Sequence, residues 1–148
     1  MRISTVVAKT HSTIDNIDYI MTKIILLASG GAIGTLLRYS LSGLTYRFVD
    51  GVFPWGTLLV NLSGSLFIGL LWGYFEVENL SPHIRNFVFI GILGGFTTFS
   101  TFALESFNLF RDGEIKLALS NIFASNILGV ALVFAGFFLS KYIIDLLK

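Results

Sequence analysis

Gly91-Ile92-Leu93-Gly94-Gly95-Phe96-Thr97-Thr98-Phe99-Ser100-Thr101-Phe102 is the most informative run in the chain. It sits inside an apolar stretch from about Ile84 to Phe110, with Arg85 at its start and Glu105 near its end. A membrane-crossing helix needs about 20 predominantly apolar residues, so the stretch is long enough to span a bilayer. Two adjacent glycines and two adjacent threonines are nevertheless a poor recipe for a continuous helix. Glycine costs about 1 kcal/mol against alanine in a helix interior, and threonine about half of that. The run therefore predicts a third helix broken mid-membrane. A break at that depth leaves carbonyl groups that lipid cannot satisfy. Two readings are open for those carbonyls. They coordinate a small hard cation such as Na⁺, or the helix is merely kinked and a neighbouring Thr hydroxyl fills the gap.

Three further apolar stretches flank this one. They run from about Ile24 to Leu44, interrupted only by Arg38, from about Trp55 to Phe75 with no charge, and from about Leu117 to Tyr142, uncharged until Lys141. The connectors Thr45–Pro54, Glu76–Pro82 and Arg111–Lys116 are short, as between antiparallel neighbours in a bundle. The expectation is an all-α integral membrane domain over residues 23–148, with helices at about 24–44, 55–75, 84–110 and 117–142 and both termini on one side. Residues 1–22 lack a continuous apolar run. They read as a polar extension, with Met21 as an alternative start.

Composition agrees with this architecture. Of the 148 residues, 54% are hydrophobic and 13% charged, and mean hydropathy is +0.80; a water-soluble domain of this size needs a larger charged shell. The absence of Cys excludes disulfides, thiolate metal sites and a Cys nucleophile. A net charge of +1 gives no electrostatic case for nucleic acid. His11 and His83 lie far apart and outside the apolar spans, and read as solvated surface residues. No catalytic constellation stands out. With residues 1–22 set aside, four Lys and Arg lie on the side of the termini and three on the other, so the positive-inside rule selects no orientation. That near-balance either reflects a protein inserting both ways round or is chance in a short chain.

Gly30/Gly34, Ser65/Gly69, Gly69/Gly73 and Gly91/Gly95 form small-xxx-small pairs that let helices approach closely. Phe99 and Phe102 are three apart and share a helix face, with Thr98, Ser100 and Thr101 interleaved. An aromatic ring has a positive edge, so ring edges and hydroxyl donors together suit a small anion. Asn61 and Ser65 are four apart on the second helix. Asn121 and Ser125 are four apart on the fourth, with Asn126 one step round. Such uncharged groups either bind helices together or line a polar track. No carboxylate lies in the middle of a span, which argues against proton-coupled transport. Arg38 is the one buried-looking charge: either a functional candidate or a residue one or two turns from the interface that snorkels.

Four ordered pieces, "GGAIGTLLRY", "PWGTLLVNLSGSLFIG", "GGFTTFSTFALES" and "SNILG", together resemble the Fluc (CrcB) family of fluoride channels from about Met21 to Tyr142. The resemblance implies an antiparallel, dual-topology homodimer in the bacterial inner or plasma membrane. Such a dimer would let fluoride leave the cytoplasm passively through two pathways lined by both subunits. It implies a structural Na⁺ on the backbone carbonyls of Gly94 and Thr97, and a fluoride pathway at Phe99 and Phe102. It assigns Asn61 to the second-helix Asn, Arg38 to a support near the pore entrance, and Glu105 to an acidic residue beyond the phenylalanines. The polar face of the fourth helix is left between Asn121 with Ser125 and Asn126. The main rival is a small antiparallel-dimer multidrug or guanidinium exporter. That reading calls for a buried Glu in the first helix, and none occurs between Ile24 and Leu44. A non-conducting membrane scaffold is the third reading.

Overall fold

The computed structural model describes residues 2–77 and 80–147, with side chains described from residue 16 onward. Its elements are α1 (Arg2–Thr45), α2 (Trp55–Phe75), α3 (Pro82–Arg85), a π-helical segment (Asn86–Leu93), α4 (Gly94–Phe96), α5 (Phe99–Arg111) and α6 (Ile115–Leu146). There is no strand among the described residues. Four stretches are long and apolar enough to cross a membrane: Asn16–Thr45, Trp55–Phe75, Pro82–Arg111 and Ile115–Leu146. The chain is a multi-pass membrane protein.

Where the sequence predicts a polar extension over residues 1–22, the backbone is helical from Arg2 and runs directly into the first span. No Pro or Gly precedes Gly30 to interrupt it. The His11 side chain and part of the second connector, residues 78 and 79, lie outside the described residues. His83 departs from the surface reading. It is half-buried, its ring lies 5.0 Å from that of Tyr19, and its Nδ1 is buried without a partner. The opening of the third span follows familiar capping chemistry: Ser81 Oγ accepts from the Ile84 N–H at 3.4 Å, and Pro82 occupies the first turn. The α5–α6 turn needs Gly113, whose φ of +83° is left-handed. The Glu114 N–H reaches back to the Leu109 carbonyl at 2.8 Å, as a left-handed helix C-cap requires.

Glycine faces set the packing. A Cβ on Gly30 would stand 2.8 Å from the Phe87 carbonyl oxygen, and one on Gly95 would stand 2.7 Å from the Gly31 oxygen. One on Gly34 would run into the Ile92 oxygen and the Phe96 nitrogen. The backbone of α1 therefore lies directly on the π-helical segment and α4. Gly69 of α2 sits against the Val133 carbonyl, and Gly136 of α6 against the Leu66 carbonyl, so α2 and α6 are equally close. Contacts this short exchange side-chain bulk for backbone dispersion, the usual economy of helix pairs in lipid. They also fix the rotation of each helix, and hence which polar residues meet.

The ends of the bundle are marked by polar contacts. Lys141 Nζ lies 2.9 Å from Glu76 Oε2, joining the ends of α2 and α6 on the side where Tyr19 meets His83. The hydrogen bond from Lys141 holds the Glu76 carboxyl below its ordinary value. Trp72 Nε1 donates to Glu76 Oε1 at 3.1 Å, and the Arg85 guanidinium lies over the Trp72 ring. Phe96, Phe102, Leu58, Val60, Leu93, Leu109 and Ala118 form a thin core. Most other large apolar side chains face outward, as in a protein solvated by lipid.

Candidate functional site

Between α4 and α5 the chain leaves helical geometry for two residues. Thr97 has φ −79° and ψ 157°, and Thr98 has φ −148° and ψ 117°, both extended. Two extended residues forgo helical hydrogen bonds, and their main-chain groups need other partners. Asn61 of α2 supplies them for Thr98. Its Nδ2 donates to the Thr98 carbonyl at 3.0 Å, and its Oδ1 accepts from the Thr98 N–H at 2.8 Å. Thr98 then starts α5 as its N-cap: Oγ1 accepts from the Thr101 N–H at 3.3 Å and lies 3.0 Å from Thr101 Oγ1. On the other side, the Thr97 N–H and hydroxyl both donate to the Leu93 carbonyl at 3.0 Å. The Thr98 and Thr101 amides are thus turned toward side-chain oxygens, and do not close helical bonds onto the Gly94 and Thr97 carbonyls.

Beside this interruption lies a recess of about 210 Å³ lined by Asn61, Ser65, Thr97, Thr98, Phe99, Phe102, Ser125 and Asn126. No charged residue lines it. The Phe99 and Phe102 rings are 5.6 Å apart with planes at 50°. Their environments differ: Phe102 is 8% exposed, whereas Phe99 is 77% exposed and projects from the protein surface. The recess therefore joins the core to an open outer face. Ser65 has a hydroxyl proton to offer its wall, and Asn126 a second amide proton, since its other goes to the Ile122 carbonyl at 2.7 Å. The Ser125 hydroxyl, turned to Asn121, presents its oxygen.

The three candidates on the fourth helix fall in two places, and not along the lines of either alternative. Ser125 and Asn126 line the recess, while Asn121, only 1% exposed, lies outside its wall. Asn121 Nδ2 donates to Ser106 Oγ at 3.0 Å, and that hydroxyl donates to the Phe102 carbonyl at 2.8 Å. Asn121 Oδ1 in turn accepts from Ser125 Oγ at 3.4 Å. A buried chain of hydrogen bonds thus ties α6 to the turn carrying Phe102. Ser100 is exposed and does not line the recess. Gly94 is also exposed, one turn before the interruption.

Arg38 is half-buried and lines a separate cavity of about 860 Å³, which shares Thr98 with the recess and also reaches Thr57 and Thr101. Glu105 accepts from Thr57 Oγ1 at 2.7 Å through Oε1, while its buried Oε2 has no protein partner. Burial raises the pKa of the nearby Tyr46 phenol, and the Glu105 charge adds to the rise. Thr57 and Ser106 escaped the reading of the sequence. Both carried a signal, since Thr57, Asn61 and Ser65 repeat every four residues and Ser106 stands four beyond Phe102.

Known proteins share these motifs. The family model described as CrcB-like protein, Camphor Resistance (CrcB), matches residues 25–137. A relative from Parabacteroides distasonis named fluoride-specific ion channel FluC is 49% identical over 128 residues, covering 86% of this chain and all of the relative. One of the same name from Desulfotalea psychrophila is 47% identical over 117 residues, or 79% of this chain and 91% of the relative. A third, from Salinibacter ruber, is 43% identical over 116 residues, or 78% of this chain and 87% of the relative. With a family model spanning all four helices and relatives matched nearly end to end, this chain belongs to the CrcB family.

Proposed function

We propose that this chain is the subunit of a fluoride-selective channel through which fluoride leaves the cytoplasm down its gradient. The observation that carries the reading is the uncharged recess in which Phe99 and Phe102 stand beside hydroxyl and amide donors. Relatives at 43–49% identity bear the name of that activity, and the match takes in nearly their whole length. Fluoride is small and tightly hydrated, so a pathway must replace its water shell at close range. Protons from Ser65 and Asn126 and the ring edges of the two phenylalanines would do so in a space that suits larger halides badly.

Asn61 acts on this pathway from behind, by holding Thr98 in its extended conformation. Thr98 and Ser100 belong to the same polar stretch, and the Asn121–Ser106 pair keeps the Phe102 turn in register. Arg38 supports the approach from the larger cavity, and Glu105 stands one turn beyond Phe102. The Gly94 and Thr97 carbonyls would hold a structural sodium ion, whose fixed positive charge would steady the interruption. The donor set fits a hard cation: these are carbonyl oxygens from which the nearest helical amides have been turned away.

Two copies in opposite orientations form the working unit in this reading. The projecting Phe99 and the open side of the recess are what a second subunit would complete, and the near-even spread of Lys and Arg beyond residue 22 suits dual insertion. The third helix is then broken near the bilayer centre, with the extended threonines at the dimer axis. The test is fluoride efflux from liposomes carrying the purified protein, alongside chloride-loaded vesicles. Rapid fluoride loss with chloride retained is expected. Retention of fluoride by vesicles holding verified, folded dimer would overturn the proposal.

A further inference from the structure

The third span contains helical bonds of two lengths. Its outer turn is α-helical, with the Asn86 N–H reaching the Pro82 carbonyl four residues back. From Asn86 to Leu93 the winding is wider, and the Gly94 N–H bonds the Phe89 carbonyl, five residues back. Four-residue spacing returns where the Thr97 N–H meets the Leu93 carbonyl. A turn closed by a five-residue bond holds one residue more than an α-turn, and such turns are rare and mostly single. Nothing in Asn86–Leu93 bars an α-helix: it has no Pro, and Gly91 is its one poor helix former. Tertiary contacts therefore hold the wide winding. Toward α2, the Phe89 ring lies 5.5 Å from Trp72 and 5.2 Å from Phe75, and the Arg85 guanidinium lies 5.5 Å from the centre of the Trp72 ring. Toward α1, the Phe87 carbonyl lies against Gly30. The inner end is fixed separately, by Gly95 against the Gly31 carbonyl and by the two bonds from Asn61 to Thr98.

We propose that Asn86–Leu93 is a register joint, a conformational device that lets the outer end of the third span turn while the interruption at Thr97 and Thr98 stays in place. Closing the wide winding to α-helix passes one residue outward. That turns Pro82–Arg85 by about 100° and moves it about 1.5 Å along the axis. Arg85 and Phe89, four apart, clamp the joint open by gripping Trp72, and the α register gives up that grip. The joint is a property of one subunit and does not rest on the channel reading.

The chain has no Cys, so labels go only where a thiol is introduced. Spin labels on Ile84→Cys and Leu146→Cys, both at exposed residues, report the outer end against α6 by pulsed electron paramagnetic resonance. Labelled chain is reconstituted into liposomes with a large excess of unlabelled chain, so that distances within one subunit are read. The chain carrying only the labels is expected to give a single distance. Arg85→Gln with Phe89→Leu is expected to add a second, displaced population. Deletion of the exposed Ile90 removes the surplus residue, so an α-helix then joins both ends in their native positions. In the loosened background the deletion is expected to abolish the second population. In the otherwise unaltered chain it is expected to change the melting temperature by less than about 4 °C. Deletion of Leu66 from α2, which has no wide winding to absorb it, is expected to abolish the folded state. A single unchanged distance in the Arg85→Gln, Phe89→Leu variant overturns the proposal. So does a second population that survives deletion of Ile90, or a deletion of Ile90 as damaging as that of Leu66.

Discussion

Replacing Asn61 with Ala removes both side-chain partners of Thr98, which is only 8% exposed. A buried polar group stripped of its partner costs about 1–3 kcal/mol, so two such groups cost about 2–6 kcal/mol. Interhelical hydrogen bonds in membranes average only about 0.6 kcal/mol and reach about 1.7, because the unfolded chain in lipid finds other partners. Here the orphaned groups belong to an extended residue whose helical alternatives are already forgone, so the loss is expected near the top of that range for each bond. The expected destabilisation is therefore about 2–3 kcal/mol. Reversible unfolding in mixed micelles measures it, with Ser63→Ala as the comparison. The Ser63 hydroxyl bonds only the Val60 carbonyl of its own helix, at 3.0 Å, and its loss is expected to stay within about 0.5 kcal/mol. Fluoride flux through Asn61→Ala should fall as the interruption loses its shape. Stability within about 0.5 kcal/mol of wild type, together with unchanged flux, would refute the claim that Asn61 holds Thr98 in place.

Other outcomes follow from the same geometry. Phe102→Ala should destabilise by about 3–5 kcal/mol as a core truncation, whereas Phe99→Ala, at a residue 77% exposed, should leave an isolated subunit nearly unaffected in a denaturant titration. Phe99→Ile and Phe102→Ile should each cut fluoride conduction without dispersing the dimer; normal conduction in both would exclude the rings from the pathway. Gly34→Ala should cost about 1–3 kcal/mol through overpacking against the Ile92 carbonyl, while Gly31→Ala, with open space around its Cβ, should not destabilise. Glu76 titrates below its ordinary 4.5 because Lys141 donates to its carboxylate. Its contribution is therefore present above that value and lost as pH falls through the lowered one. Glu76→Gln should melt below wild type at about pH 7, with the gap closing only under pH 4.5; a gap independent of pH would show that charge is not its source.

The helices were legible because what makes them is local. Each apolar stretch announces a span by its own length and composition, and α2 begins and ends at Trp55 and Phe75, where the sequence predicts. The glycine pairs were legible for a similar reason, since spacing along one helix names the face that can pack closely. Gly30 and Gly34 meet Phe87, Gly91, Ile92 and Phe96, and Gly69 and Gly73 meet α6. The π-helical segment was not legible. Every residue from Asn86 to Leu93 is compatible with an α-helix, so nothing local marks the wider turn. Nor did the polar character of residues 1–22 announce that their backbone would continue the first helix.

That four helices cross a membrane, that the third carries an unusual run, and which residue types offer hydrogen bonds near it are all readable from the amino acids in order. Backbone satisfaction and bilayer thickness act on each segment separately, so these properties are written into each segment separately. Tertiary structure alone decided how the polar groups are shared out. Asn61 is committed to the main chain of Thr98, 37 residues away; Asn121 is turned to Ser106, and Ser125 and Asn126 are left in the recess. Which of two neighbouring donors on a helix reaches a partner depends on the rotation of that helix to within a fraction of a turn. That rotation is set by backbone contacts at Gly34, Gly69 and Gly136, between segments far apart in the chain.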